Sequence, residues 1–343
     1  MDSNLFVELQ QDARNDIVRA LWGGSGSMTQ EELRKLGTGP YWQYFHQKCV
    51  HALRDRGRHI ALRTFRDVVE VAQQVKTDTV RSEIKDSIRR KLTTTHTKEE
   101  DLLDSSVDLA TSLLLMIDCG SLALGFSGKT EISWVEGCLR EHLEDYFSET
   151  PSLTHTSVKL PKDFTARNLC RIAGMKIVWT DNLIDHLRLT EDDTRVHIFH
   201  HASFLKYQSQ SQESLLPAGL VNETLQTMAL LFPSRDVGLR KWFNQITLST
   251  DLDSCLIDCG QLSTDNRQIE RFTFWRDRLV TLKQVFDEAQ PKTLAQWWHD
   301  RRNGEQWYTF WVAVVILSLT VLFGMIQCIE GALQVYASLK SLQ

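Results

Sequence analysis

The amino-acid sequence predicts an α+β fold: a mainly helical soluble body with a small central sheet, followed by one C-terminal transmembrane helix. Three observations lead to this fold class. Apolar residues recur at helical spacing through much of the first 300 positions, short segments alternate with the period of a strand, and one later run lacks charge. The predicted regions are a helical region at 1–127, a duplicated strand–helix region at 128–205, a helical region at 206–290, and an interfacial helix, transmembrane helix and short tail at 291–343.

The uncharged run extends from Trp307 to Ile329 and reads WYTFWVAVVILSLTVLFGMIQCI. As an α-helix it is about 34 Å long, which exceeds the roughly 30 Å hydrocarbon core of a bilayer. Tryptophan rings prefer the headgroup region, and four of the ten tryptophans cluster near the start of the run. The pattern predicts a single-pass transmembrane helix over 307–329, with the lipid bilayer as a partner. The clustered tryptophans are Trp297, Trp298, Trp307 and Trp311.

Basic residues are distributed unequally around this run. Lys292, Arg301 and Arg302 precede it, whereas Lys340 is the only basic residue after it. Because cytoplasmic flanks carry the excess of Lys and Arg, we expect the soluble body to be cytoplasmic. The first 16 residues show no basic segment followed by an apolar stretch, as a signal peptide would. We therefore expect insertion after translation, as in tail-anchored proteins.

The composition of the body is that of a cytosolic globular protein. Its seven cysteines are odd in number and match no disulfide or zinc spacing, which favours a reduced compartment. A formal net charge of −5 argues against nucleic acid as a partner, since such proteins present a basic face. Asn222 begins the only N-glycosylation sequence, and it matters only if the body is lumenal.

Helical patterns account for most of the body. Thr29 and Thr97 each begin a capping-box pattern, and Thr293 is positioned to cap the helix that carries the first two clustered tryptophans. The apolar segment 109–126 contains Asp118, so we expect it in the core and not as a second span. Apolar stripes predict helices over 3–22, over two segments between Tyr41 and Val75 that break near Gly57, over 220–232 and 234–246, and over 268–289, with an exposed loop at 208–214.

Two stretches of the middle region resemble each other. Ile132–Leu143 reads ISWVEGCLREHL, and Ile177–Leu187 reads IVWTDNLIDHL, which align when Gly137 is treated as an insertion. Each begins with an I-x-W strand pattern and continues into a helix, predicted over 138–147 and 182–188. Trp134 and Trp179 should be buried between sheet and helices, and 195–201 supplies a third strand.

Residues 123–130, ALGFSGKT, satisfy the loose phosphate-binding pattern [AG]-x₄-G-K-[ST]. In such a loop Gly128 wraps phosphate, Lys129 contacts the terminal phosphates and Thr130 binds magnesium. The residues after Thr130 alternate like a strand, where a phosphate-binding helix should begin. We therefore interpret the segment as a turn and predict no cofactor.

Histidines and acids cluster in the second half of the duplicated region. His197, His200 and His201 lie close in sequence to Asp181 and to the acidic run 191–193. Imidazoles and carboxylates at these spacings are able to bind a transition metal or exchange protons. Strand alternation places His197 on the face opposite His200, so a structural role for the histidines is the favoured interpretation. We assign no catalytic residue, and we expect no enzymatic activity.

The segment from Phe164 to Tyr336 resembles a family of filamentous-fungal membrane proteins. The phrases that carry the resemblance include ARNLCRIAGMKIVWTDNLIDHLRL, DDTRVHIFHHASFL and RQIERFTFWRDRLVTLKQVFDEA. The resemblance implies a fungal source and a C-terminal anchor, without an assigned activity. The C-terminal part is also faintly similar to fungal CorA-type metal transporters. Those proteins have two spans and a Gly-Met-Asn signature, whereas here Gly324 and Met325 are followed by Ile326.

The expected function is that of a membrane-tethered interaction or regulatory protein with unidentified protein partners. Three alternatives stay open. The first is a CorA-like relative for divalent-metal transport, and the second is an accessory protein of a metabolite or subtelomeric gene cluster. The third is a nucleotide-binding enzyme that uses the segment around Lys129.

Overall fold

The computed structural model confirms a mainly helical α+β fold with a small three-stranded sheet and one long apolar C-terminal helix. The chain forms two compact units, residues 1–170 with 175–288, and residues 171–174 with 289–343. The structure describes residues 5, 9–23, 39–54, 58–93, 97–120, 130–148, 158–209, 214–291, 293–300, 302 and 304–341.

The helices of the first unit follow the predicted stripes, with differences at their ends. Between Tyr41 and Val75 the structure has the two predicted helices, separated by a segment around Gly57 of which residues 55–57 lie outside the described part. These two helices are α2 (Pro40–Ala52) and α3 (Phe65–Lys76). The other helices before the sheet include α1 (Gln11–Trp22), α4 (Arg81–Arg89), α5 (Glu99–Leu115) and α6 (Leu139–Phe147).

The first helix is shorter than its apolar stripe predicts. The stripe starts at residue 3, but α1 begins at Gln11, and Gln10 before it is extended (φ −68°, ψ 157°). Upstream, the backbone N–H of Leu5 donates to the carbonyl of Arg63 at 3.2 Å, so this part of the chain bonds outside the helix. Leu5 is nevertheless buried, as the stripe requires.

A capping box forms at the start of α3, where the sequence analysis predicted none. Thr64 and Asp67 cap α3 reciprocally, because the Thr64 hydroxyl accepts from the Asp67 N–H while the Asp67 carboxylate accepts from the Thr64 N–H. The box predicted at Thr97 is wrong: Lys98 occupies the N-cap of α5 and provides no side-chain acceptor. The box predicted at Thr29 lies outside the described residues.

Aromatic side chains close the C-terminal end of α5. The last carbonyls of a helix have no partner within it and need one elsewhere. The indole of Trp22 donates to the Leu114 carbonyl at 3.1 Å, and the Tyr41 hydroxyl donates to the Leu113 carbonyl at 2.7 Å. The hydroxyl of Tyr44 donates to the Ser112 carbonyl at 2.9 Å. The segment 109–120 is accordingly core, as predicted.

The sheet follows α7 (Ala166–Arg171) and has the order β1-β3-β2. Strands β1 (Lys176–Thr180) and β3 (Arg195–Phe199) are parallel, and β2 (Leu189–Thr190) pairs antiparallel with β3. The strands predicted from I-x-W at Ile177 and from 195–201 are therefore both present, and the second ends at Phe199.

The predicted duplication is not reproduced. Ile132 makes one isolated bridge with Cys119, so the first copy of the apparent repeat, Ile132–Leu143, has no continuous strand, although α6 follows it as predicted. In the second copy of the apparent repeat, Ile177–Leu187, the helix predicted over 182–188 is a single 3₁₀ turn, Leu183–Asp185.

The backbone of the second copy, Ile177–Leu187, is bonded to distant groups where the helix was predicted. The Leu187 N–H donates to the His197 carbonyl at 2.8 Å. The Arg278 guanidinium donates to the carbonyls of Ile184 and His186 at 2.6 and 2.7 Å. Leu187 then adopts a positive φ of 60°. Trp134 is buried, as predicted, but Trp179 is only half-buried.

The remaining helices of the first unit follow the sheet in the chain. The helix predicted from residue 268 begins only at Arg276, because the N–H groups of Thr273 and Trp275 donate to the buried carboxylate of Glu223, both at 2.8 Å. Most of the predicted loop 208–214 lies outside the described part of the chain. The helices are α8 (Ala202–Gln208), α9 (Leu220–Leu231), α10 (Val237–Thr247) and α11 (Arg276–Glu288), with 3₁₀ turns at Ser254–Asp258 and Ile269–Arg271.

The second unit consists mainly of two helices. Thr293 caps α12 (Leu294–His299) as predicted, and it does so in a capping box with Gln296. Helix α13 (Gly304–Ser341) is continuous, and its part Trp307–Ser341 is long and apolar enough to cross a membrane. The predicted short tail after Ile329 is therefore helical as far as Ser341.

Candidate functional site

One edge of the sheet brings an acid and two histidines together. The parallel register pairs Thr180 of β1 with Phe199 of β3. Asp181 and His200 are the next residues of the two strands, so both leave the sheet at the same edge. In open sheets with parallel strands, ligand sites form outside the carboxyl ends of the strands. The local topology thus produces a candidate site from residues that are 20 positions apart in sequence.

The Asp181 carboxylate is the point at which the two imidazoles converge. Its Oδ1 atom lies 2.7 Å from Nε2 of His201 and 3.3 Å from Nε2 of His200. The two imidazole rings lie against each other, with centroids 4.0 Å apart and an interplanar angle of 30°. His201 is the N-cap of α8, and the turn at this residue brings its ring to the same side as that of His200. The three groups form one compact cluster.

Burial and mutual contact set the charges of this cluster. Burial lowers the pKa of His201 to about 4, helped by the neighbouring His200 and opposed by Asp181. Burial also acts to raise the pKa of Asp181, but the hydrogen bonds with His200 and His201 outweigh it and hold that pKa well below its ordinary value. At neutral pH the carboxylate is therefore ionised and the His201 ring is neutral.

Aromatic rings enclose the histidines on their inner side. The ring centroid of Tyr44 lies 6.1 Å from that of His201, and Trp179 meets His200 edge to face at 6.3 Å. The Tyr44 hydroxyl is engaged with the end of α5, so it is not directed at the cluster. The outer side is different, since the Asp181 side chain is 45% exposed. The cluster is reached from solvent through the carboxylate.

A third histidine in the same region has a different hydrogen-bond pattern. Nδ1 of the buried His186 accepts from the backbone N–H of Phe199 at 3.2 Å, and Nε2 lies 2.7 Å from the Thr227 hydroxyl. Both nitrogens of His186 are satisfied, which is the expected state of a structural histidine. His200 and His201 are equally buried, yet their Nδ1 atoms have no hydrogen-bond partner among the described residues.

The other residues singled out from the sequence do not join this cluster. His197 lies within β3, and its Nε2 is 3.1 Å from the hydroxyl of Thr190. The acidic run 191–193 forms the exposed turn between β2 and β3, with a positive φ at each residue. Glu191 is paired there with Arg195 at 2.7 Å.

The phosphate-loop pattern is described only at its last residue. Gly128 and Lys129 lie outside the described residues. The carbonyl of Thr130 accepts from the side-chain amide of Asn182 at 2.8 Å, which ties this residue to the turn after β1.

The glycosylation sequence falls on a helix. Asn222 is exposed near the start of α9, whereas Thr224 of the same sequence is fully buried. The Thr224 hydroxyl donates to the Leu220 carbonyl at 2.8 Å and accepts from the indole of Trp275 at 2.9 Å. In the folded protein this hydroxyl is therefore fully engaged.

Sequence reasoning listed Asp181 and all three histidines as candidates and separated His197 from His200 by strand alternation, but it did not pair Asp181 with His200 and His201. The signal for the actual cluster is the position of these residues directly after two apolar strands, D after KIVWT and HH after RVHIF. That signal is useful only when the strands are known to be parallel neighbours, because antiparallel pairing would separate the two ends.

No protein-family model, no curated protein and no solved structure matches this chain. The chemistry of the site therefore rests on its own geometry.

Proposed function

We propose that this protein is a membrane-tethered interaction or regulatory protein whose soluble body is held at a membrane by α13. The observation that carries the proposal is the apolar surface of this helix. Its residues are not buried anywhere along the candidate span, and large side chains such as Leu317, Val321 and Phe323 are exposed. A contiguous apolar surface of this size is unfavourable in water and favourable in a bilayer.

The few polar groups within the span are compatible with lipid. The Ser318 hydroxyl donates to the Val314 carbonyl and the Thr320 hydroxyl donates to the Ile316 carbonyl, each at 2.8 Å. Both bonds remain inside the helix, which is what a hydrocarbon environment requires of polar groups. These hydroxyls therefore need no partner from water.

Aromatic rings gather where α13 begins. Trp297 stacks on Phe310 with ring centroids 4.5 Å apart, and Trp298 meets Trp311 edge to face at 5.0 Å. Tyr308 is exposed in the same segment. Indole and phenol rings at one end of an apolar helix are typical of the membrane–water interface. This cluster supports an interfacial position for α12 and for the first turns of α13.

The proposed orientation places the soluble body in the cytoplasm, with α13 as a tail anchor. Its support is the basic residues before the span; of these, Lys292 and Arg301 lie outside the described residues. Arg302 is paired with Asp300 through two bonds of 2.8 and 2.9 Å. Because the positive-inside bias counts basic residues and gives acidic ones little weight, this pairing leaves the argument in place.

An interaction or regulatory role is the activity that accompanies this anchoring proposal. Within the part of the chain that the structure describes, no observation favours the CorA-like, gene-cluster or nucleotide-binding alternative over it. The resemblance to anchored filamentous-fungal proteins agrees with the proposed membrane position and stays a prediction.

Truncation after Arg302 tests the anchor. The full chain should float with membranes on a density gradient, and the truncated body should remain in the soluble fraction. A truncated body that floats as the full chain does would contradict anchoring by α13 alone.

A further inference from the structure

We propose that Asp181, His200 and His201 form a binding site for one divalent transition-metal ion. One potential ligand atom from each residue lies within 4.8 Å of the other two. Ligand atoms that share an ion tetrahedrally at about 2.0–2.2 Å are roughly 3.3–3.6 Å apart from one another. The distance from Asp181 Oδ1 to His200 Nε2, 3.3 Å, matches that spacing, whereas the distance to His201 Nε2, 2.7 Å, is shorter. To admit the ion, the His201 ring and the carboxylate must therefore move apart.

The donor types identify the class of metal. Two imidazole nitrogens and one carboxylate oxygen suit zinc, iron and neighbouring first-row ions, whereas calcium and magnesium require oxygen ligands. This donor set therefore favours a first-row transition ion over calcium or magnesium.

The contacts of this pair differ from those of the structural histidine nearby. Both nitrogens of His186 are bonded within the core. At His200 and His201 the Nε2 atoms instead converge on one carboxylate. The Nδ1 atoms have no partner among the described residues, and coordination through Nε2 does not supply one. The convergence of the two Nε2 atoms on Asp181 is therefore the observation that carries the site.

Acid–base catalysis fits the geometry less well. A catalytic histidine presents one nitrogen to the substrate and uses the other for the orienting carboxylate. Here both Nε2 atoms face Asp181, and the remaining Nδ1 atoms are buried. The two Nε2 atoms are the nitrogens that converge on the partly exposed carboxylate. A cation between them uses all three groups at once, and the exposed side of Asp181 leaves room for water on the ion.

Cobalt titration of the full chain in detergent micelles tests the site, because Co²⁺ bound to nitrogen and oxygen ligands absorbs visible light and Zn²⁺ displaces it silently. The protein should carry an affinity tag without histidine. We expect one Co²⁺ per chain, displaced by one Zn²⁺. Asp181→Ala should weaken binding at least 100-fold, which exceeds the roughly 10–100-fold loss that follows removal of an outer-shell partner.

His197→Gln is the matched control, since this histidine lies on β3 a few positions away and bonds to Thr190. It should bind Co²⁺ as the wild type does, and Zn²⁺ should raise the Tm of both. The Asp181 side chain is 45% exposed, so Asp181→Ala remains decisive even if variants at the buried histidines fail to fold. The proposal would be overturned if the wild type did not bind one Co²⁺ per chain. It would also be overturned if His197→Gln and Asp181→Ala weakened binding equally.

Discussion

The Nε2 atom of His186 lies 2.7 Å from the hydroxyl oxygen of Thr227 in a fully buried part of the core. This contact fixes the state of the ring. Because Nδ1 accepts from the Phe199 N–H, Nε2 must carry the proton and donate to Thr227. The Thr227 hydroxyl in turn donates to the Thr224 carbonyl at 2.6 Å. The chain of bonds accommodates only a neutral imidazole.

The first prediction follows from this neutral ring. Burial, with a smaller contribution from Arg278, lowers the pKa of His186 to about 3 in the folded protein, against about 6.5 in the unfolded chain. Between these values the unfolded state binds a proton that the folded state does not. The contribution of His186 to stability is therefore complete above pH 6.5 and is lost as the pH falls towards 3.

Comparison with His186→Gln isolates this contribution. As the pH falls below 6.5, the free energy of unfolding of the wild type should decrease relative to that of the variant by about 1.4 kcal/mol per pH unit. Denaturant titrations at several pH values measure the difference. A difference that does not change with pH would show that His186 titrates alike in both states.

The second prediction concerns the buried guanidinium of Arg81. It bonds to Asp108 at 2.8 Å and to Asp104 at 2.9 Å, and it lies 4.9 Å from the centre of the Trp134 ring. Removal of Arg81 leaves Asp108 without this partner, whereas Asp104 is partly exposed and keeps its contact with Lys85 at 3.1 Å. Arg81→Met should therefore reduce the free energy of unfolding, by less than the roughly 3–5 kcal/mol of a fully buried pair.

Arg89→Met is the control for Arg81. Arg89 has three acidic neighbours, Asp86, Glu99 and Glu100, but its side chain is far more exposed. Exposed ion pairs contribute little because water and salt screen them. An equal loss of stability in both variants would mean that burial of Arg81 does not determine its contribution.

The third prediction separates the two tryptophans that the apparent repeat treats as equivalent. Trp134 is buried, and its indole donates to the Gly137 carbonyl at 3.1 Å. Trp134→Ala should cost about 3–5 kcal/mol of stability. Trp179→Ala should cost clearly less, because its side chain is only half-buried. Thermal unfolding of the two variants compares them directly, and a larger loss at Trp179 would contradict the observed packing.

The fourth prediction tests the orientation of the span. With the body in the cytoplasm, Asn222 should carry no glycan, whereas a glycosylation sequence fused behind α13 by a flexible linker should be modified. The fused sequence is the better reporter, since the Thr224 hydroxyl beside Asn222 is buried and engaged. Endoglycosidase-sensitive mobility shifts provide the measurement. A shift that disappears in Asn222→Gln would place the body in the lumen.

Sequence periodicity identified elements whose own residues determine their structure. Interactions between sequence neighbours determine the uncharged C-terminal helix and the two helices around the break at Gly57. The cap at Thr293 is equally local. The elements that differ depend on distant groups. The segment expected as a helix over 182–188 bonds instead to β3 and to Arg278, and the N–H groups before α11 bond to Glu223. Neither contact leaves a local signal.

The candidate site shows the same limit. Its residue types were visible in the sequence, and the alternation argument separated His197 from His200. The partnership of Asp181 with His200 and His201 depends on the parallel pairing of β1 and β3. Between these two strands the chain passes through β2, which pairs antiparallel with β3 on its other side. No sequence pattern within 181–194 predicts this path.

Anchoring by α13 is the central claim, and paired substitutions in the full chain test it most directly. Leu319→Asp with Val321→Asp places two carboxylates in the middle of the span, each at a cost of about 2.5–3.5 kcal/mol for insertion. The control is Val237→Asp with Leu248→Asp, since both residues are exposed on the soluble body. Flotation on a density gradient separates membrane-bound protein from soluble and aggregated protein. The wild type and the control should float while the span variant remains at the bottom; a span variant that floats with the wild type would contradict the claim.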